Sequence, residues 1–297
     1  MTTISIIETA PVGGFQAGPQ PLADAEAISL IDALFDAGIH HMEAAVFTGR
    51  SAAPPMHNPA VVLRGIRRGL DRLATAVTLT LTGANQAIAA GVDEIVLRLS
   101  ISDSFSKAKA NRAIVLSMDD AGPIALRAQQ AGTPVRASLA TVFRCPIEGA
   151  VNERRLHDTL EALQKLGVRE ISLHDTAGLA TPPILSRTLR ALRRMAPQAN
   201  FTLRPSNDHG LALVNAMAAL DEGVNSFEAA VAGLGAVRTE DLAYLMHALD
   251  LRTGIDLDAL IAVARRVEKA VGLPASSRPP HAGPGPQPQR RAKTAAV

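Results

Sequence analysis

Tryptophan is absent from these 297 residues, tyrosine occurs once, and aromatic side chains make up 3% of the chain. So few rings remove the stacking platforms that single-strand nucleic-acid binders use, so the core must be aliphatic. Cysteine is nearly absent too. Cys145 alone excludes an internal disulfide framework and any multi-thiolate zinc site, and its expected role is that of a small buried hydrophobe in a reducing compartment. An excess of one charge is also lacking: 30 basic residues against 28 acidic ones leave a net charge of +2, part of it in the terminal run Gln289-Arg290-Arg291-Ala292-Lys293. A chain so balanced carries no electrostatic footprint for nucleic acid. No apolar run reaches the roughly 18 residues a membrane span needs, and the first basic residue is Arg50. A cytoplasmic protein is expected.

What the chain does have is alternation. Short apolar runs at 3–8, 41–46, 76–81, 94–100, 135–142, 170–174, 200–204 and 225–230 read as strands, and longer segments of helical period separate them. Asp24 precedes the stripe Ile28, Ile31, Leu34 and Phe35, and Gly38 follows it, matching an N-cap and a C-terminal glycine. The same glycine stop recurs at Gly91, Gly132, Gly167 and Gly223, each just before an apolar run. Eight strand–helix repeats predict an α/β fold, a closed (β/α)8 TIM barrel over residues 1–274, with an extra helix near 257–271. Residues 275–297 are rich in Pro, Gly and Arg and are expected to form a disordered tail. In such a barrel the chemistry sits at the C-terminal strand ends.

Those strand ends carry a resemblance. The blocks Ile39-His40-His41-Met42-Glu43-Ala44, Ser102-Asp103-Ser104-Phe105-Ser106-Lys107, Cys145-Pro146-Ile147-Glu148-Gly149, Ser172-Leu173-His174-Asp175-Thr176-Ala177-Gly178 and Val231-Ala232-Gly233-Leu234-Gly235 resemble the hydroxymethylglutaryl-CoA lyases of the DRE-TIM metallolyase group. Thr239-Glu240-Asp241 and Thr253-Gly254-Ile255-Asp256-Leu257 extend the likeness, which runs from about residue 3 to residue 274. The resemblance implies a divalent metal held by a first-loop Asp, a His-x-His pair ending the seventh strand and a late Asn. It also implies an Arg that stabilises an enolate and a Cys on a glycine-rich loop.

This sequence departs from the pattern at each of those places. Val12 stands at the Arg position, Gly13 at the Asp position, Arg204-Pro205-Ser206 replaces His-x-His, and Ala236 occupies the Asn position with no cysteine in the loop. A site stripped of its carboxylate and imidazoles and given Arg204 should repel a dication, since charges in a shielded pocket interact by several kcal/mol. No metal and no cofactor are therefore expected.

The catalytic candidates are Glu43, His174, Asp175, Arg204 and His209. Arg204 either substitutes electrostatically for the ion or forms a structural ion pair with Glu43 or Asp175. His174, where the family usually has glycine, is either an acid/base group or a side chain packed on the helix layer; by alternation only one of His174 and Asp175 need enter the barrel mouth. His209 shares its alternatives with a helix cap at 207–210. His41 and Arg98 are unusual in barrel strands, and inward-facing faces for them would mean a lumen that has gained polar groups.

Gln16, Ser102, Lys107, Asn111 and Ser206 are the candidate substrate contacts. Lys107 and Lys109 either meet nucleotide phosphates or are a solvated pair. Two functions remain open: a metal-independent carbon–carbon lyase or related acid/base enzyme acting on an acyl-CoA or carboxylic acid, or a non-catalytic protein binding an acyl-CoA or a partner protein. A barrel mouth plugged by Phe15, Phe47 or Phe143 would favour the second. A homodimer is implied by likeness alone.

Overall fold

A computed structural model of the protein describes residues 3–15, 22–48, 58–110 and 118–272. Eight parallel strands close a barrel in chain order: β1 (Ser5–Glu8), β2 (His41–Phe47), β3 (Leu73–Thr78), β4 (Glu94–Ser100), β5 (Val135–Ala140), β6 (Glu170–His174), β7 (Asn200–Arg204) and β8 (Ser226–Ala229). The seam joins β1 to β8, with Ser5 opposite Ser226 and Glu8 opposite Ala229. The helices among the described residues are α1 (Ala10–Gly13), α2 (Asp24–Asp36), α3 (Pro59–Gly65), α4 (Leu81–Ala89), α5 (Asp103–Ala110), α6 (Met118–Gln130), α7 (Glu153–Lys165), α8 (Pro182–Met195), α9 (Ala212–Asp221), α10 (Thr239–Ala248) and α11 (Leu257–Val271). None is long and apolar enough to cross a membrane.

The main core lies between sheet and helices. Outward-facing Leu97, Leu139, Leu173 and Leu203 pack with helix residues such as Leu34, Leu160, Leu189 and Val267, all buried. Each such leucine contributes about 1.5–3 kcal/mol by leaving water. The glycines expected to stop helices do so: Gly38, Gly91, Gly132, Gly167 and Gly223 all have positive φ.

Several boundaries differ from expectation. β3 begins three residues before the expected 76 and stops at Thr78, because the Thr80 hydroxyl accepts from the Gly83 amide and caps α4. β5 ends at Ala140, where Thr141 turns to φ 59. Asp24 is the first residue of α2 rather than its cap, and its carboxylate accepts from the Asn58 amide instead. Gln16, Asn111 and the whole 275–297 tail lie outside the described residues.

Candidate active site

In a closed barrel, side chains on strands two apart can meet only inside the ring. Three such contacts define the lumen. Arg98 on β4 donates from Nη2 to Glu43 Oε2 on β2 at 2.7 Å, His174 Nε2 on β6 lies 3.1 Å from Glu228 Oε2 on β8, and Arg136 on β5 donates from Nη1 to Thr202 Oγ1 on β7 at 3.1 Å. His41 Nε2 lies 3.3 Å from Glu94 Oε2, which also accepts from Arg136 Nε at 3.0 Å. The faces carrying His41, Glu43 and Arg98 are thus internal, and the lumen is polar where a barrel of this kind is usually filled with branched aliphatics.

The layer nearest the C-terminal mouth holds the chemistry. Side-chain exposure is 19% for Arg98, 15% for Arg204 and 14% for His174, against 1% for Glu43 and 0% for Glu228. Cations and imidazole therefore face the mouth, and the carboxylates lie beneath them. His174 Nε2 is 2.6 Å from Ser138 Oγ as well as close to Glu228. Arg204 donates from Nη1 to Glu228 Oε2 at 3.4 Å and from Nη2 to the Gly235 carbonyl at 3.1 Å, tying the end of β7 to the last loop. Burial pulls the His174 pKa down; Glu228 opposes this, and Arg204 and Arg98 reinforce it, so the imidazole is neutral at neutral pH. Burial alone would raise the Glu228 carboxyl, but His174 and Arg204 outweigh it and hold it below the usual carboxylate range. A neutral imidazole donates Nε2–H to Glu228, which leaves Nδ1 as the basic nitrogen.

Residues 3–267 match the HMGL-like family. The chain belongs to that family. It is 31% identical over 285 residues to the 3-hydroxy-3-isohexenylglutaryl-CoA/hydroxymethylglutaryl-CoA lyase of Pseudomonas aeruginosa, covering 93% of this chain and 95% of that one. It is 32% identical to the hydroxymethylglutaryl-CoA lyase of Pseudomonas mevalonii, covering 94% and 96%. Among solved structures, a hydroxymethylglutaryl-CoA lyase from Pseudomonas aeruginosa superposes with a TM-score of 0.88 at 30% identity, covering 95% of this chain and 97% of that one. An HMG-CoA lyase from Acinetobacter baumannii, in complex with coenzyme A and 3-methylmalate, gives 0.85 at 31% identity, covering 93% of each.

This HMGL-like barrel gathers some of the expected residues and separates others. His174 enters the lumen, not the helix layer. Arg204 pairs with neither Glu43 nor Asp175; its partner is Glu228, and Glu43 belongs to Arg98. Asp175 lies just past the end of β6, where its Oδ1 accepts from the Ala180 amide at 3.0 Å and burial raises its pKa. His209 is exposed and stands over the 175–180 turn, its Nδ1 3.1 Å from where a Cβ on Gly178 would sit. Ser102 is buried and accepts from the Phe105 amide at 3.0 Å, opening α5, while Lys107 is exposed on that helix. Ser206 accepts from the Asp208 amide at 3.3 Å.

Glu228 and Ser138 are the residues that sequence reasoning missed. The available signal was an acidic residue inside the apolar run 225–230, the same kind of anomaly that marked His41 and Arg98.

Val12, buried on α1, packs with Val46, Val77 and Val96 in a cluster separate from the main core, so one wall of the upper lumen is apolar. Phe15, Phe47 and Phe143 are buried in the main core cluster. Behind the mouth, buried Glu8 accepts from the Ala10 amide at 2.8 Å, the Val231 amide at 3.0 Å and Thr239 Oγ1 at 2.6 Å.

Proposed function

We propose that this HMGL-like protein is a metal-independent carbon–carbon lyase acting on an acyl-CoA. The observation that carries this reading is the Glu228–His174 pair, a buried carboxylate holding a neutral imidazole under the barrel mouth between two guanidiniums. The residues at the positions where relatives are expected to hold a dication do not fit one. Gly13 has no side chain, Val12 is packed among valines, Arg204 is a cation already bound to Glu228, and the Ser206 hydroxyl is engaged by Asp208. Among the described residues, the group of three His, Asp or Glu side chains close enough to share an ion is His157, Asp158 and Glu161, exposed on α7.

The substrate class follows from the relatives, which are named for 3-hydroxy-3-substituted glutaryl thioesters, one of them bound to coenzyme A and a hydroxy-dicarboxylate. On a 3-hydroxyacyl thioester, His174 Nδ1 takes the hydroxyl proton, the C2–C3 bond breaks, and its electron pair moves into the thioester enolate. The departing fragment leaves as a ketone or aldehyde. The enolate carbon then takes the proton back from His174, giving the shorter acyl thioester. Arg204 stands where the developing negative charge needs a fixed cation, the role a preorganised electrostatic group plays in a dry site. Asp175 and His209 have local roles in the 175–180 turn and are not needed for the proton transfers.

The test is release of acetyl-CoA from 3-hydroxyacyl-CoA substrates with and without chelator. Expected are turnover that chelator leaves unchanged and a roughly 10²–10⁴-fold loss in His174→Asn. Turnover that appears only on adding magnesium or manganese, or that survives in His174→Asn, overturns the reading. Binding of acyl-CoA without any turnover would make the protein a non-catalytic acyl-CoA binder.

A further inference from the structure

The four arginines of α8 keep unequal company. Arg190 donates to Glu222 from Nε at 3.0 Å and from Nη2 at 2.6 Å, and Arg193 Nη2 stands 3.3 Å from where a Cβ on Gly223 would sit, so both turn toward the end of α9. Arg187 and Arg194 do not. Seven residues apart, they lie within about 20° of each other around the helix axis and share one edge of α8. Both are exposed, and among the described residues neither has an ion-pair partner.

That edge borders a cleft of about 520 Å³ between α7, α8 and the segment that follows β5, a volume within the range of small-molecule sites. Phe143 and Leu156 in its lining are buried, and Val151, Ile184 and Met195 are half-buried, so its floor is apolar. Its charged groups are Arg144, Arg187 and Arg194 against a single carboxylate, Glu153. The acids further along α7 are answered on their own helix, Asp158 by Arg154 at 3.9 Å and Glu161 by Lys165 at 2.7 Å. The cleft therefore keeps an excess of guanidinium over a hydrocarbon floor.

These two properties select a ligand. A guanidinium beside an apolar wall attracts an anion more strongly than one in open water, and its planar fork matches a carboxylate. The floor asks for a chain without polar groups of its own, because a sugar or a nucleobase would lose its hydrogen bonds to water there. From Ile184 to Met195 the helix rises about 16 Å, room for an extended medium-length chain. We infer that the cleft between α7 and α8 binds a fatty carboxylate, its chain along the apolar floor and its acid head on the Arg187–Arg194 edge. Both helices lie outside the ring of strands, so this site is separate from the barrel mouth and does not depend on the lyase reading.

The experiment is calorimetric titration of the full chain with decanoate, hexanoate and decanol. Decanoate should bind more tightly than hexanoate by on the order of 100-fold, since each further buried methylene contributes about fourfold. It should exceed decanol by roughly 10–100-fold, the range of a charge-assisted contact. Replacing Arg187→Gln and Arg194→Gln together should bring decanoate down to the level of decanol and leave decanol unchanged; both side chains are exposed, so the fold is not at risk. Ala191→Phe, which fills the cleft, should abolish binding of both. Decanoate binding that is unaltered in the double arginine variant puts the acid elsewhere, the barrel mouth included, and overturns the inference. Affinity independent of chain length overturns it as well. A wild type that binds no decanoate but sediments as a dimer, which the double arginine variant dissociates, would give the cleft to a second copy of the chain instead.

Discussion

At His174, burial and charge compete, and burial wins: the imidazole is held neutral although a carboxylate lies 3.1 Å away. A base of lowered pKa stays available well into the acid range, so kcat/KM should fall only as pH drops through a value below the ordinary 6.5 of histidine. A pH–rate profile on a 3-hydroxyacyl-CoA checks this. Glu228→Gln removes the charge that supports the imidazolium, and the acid limb should move to still lower pH. The same change strips Arg204 of its partner. Breaking a buried ion pair from one side costs about 3–5 kcal/mol, so denaturant titration should show a loss of that order. A limb that stays in place, together with unchanged stability, would mean that Glu228 bears on neither group.

At the scale of elements, Glu8 is the clasp between the two ends of the ring. Its carboxylate takes the first amide of α1, the Val231 amide after β8 and the hydroxyl of Thr239 opening α10. Next to it, Glu240 accepts from the Ala232 amide, whose residue sits at φ 59. Burial pushes the Glu8 pKa up to about 7 from 4.5, against the pull of its hydrogen bonds. The folded chain therefore holds more protons than the unfolded chain between those values, and stability falls as pH rises through that window. The span corresponds to about 3 kcal/mol. Glu8→Gln should remove this share of the pH dependence, leaving a flatter stability profile between pH 4.5 and 7 in chemical denaturation. A slope as steep as that of the wild type would place the titration elsewhere. The cap of α4 offers a smaller test. Thr80→Ala leaves the Gly83 amide without its acceptor and should cost about 1 kcal/mol.

For the whole molecule, the lumen works as a second core. Arg136 reaches from β5 to Thr202 on β7 and to Glu94 on β4, which also meets His41 from β2, so one polar cluster spans the ring. Arg136→Met strands a buried carboxylate and should lower Tm by roughly 10 °C, taking 3–5 kcal/mol at 2–4 °C per kcal/mol. Adding Glu94→Gln should restore part of the loss. Scanning calorimetry of the two variants decides it, and a double variant less stable than the single one would show that the cluster is not coupled in this way.

The covalent order alone determined a great deal. Period-2 runs separated by helical stripes, with a glycine stop after each helix, specify strand, helix and turn locally, and eight repeats of that unit leave a closed parallel barrel as the way to bury both faces of the strands. Five strands, β2, β4, β5, β6 and β7, begin where the pattern put them, and His174 and Arg204 were placed at strand ends near the mouth. Ring closure decided the rest. Whether Arg204 meets Glu43, Asp175 or Glu228 depends on the stagger between strands far apart in sequence, and local periodicity carries no information about that stagger. The inward turn of His174, the ion pair of Arg98 with Glu43, and the clasp at Glu8 exist only because the barrel brings separate strands within hydrogen-bond reach.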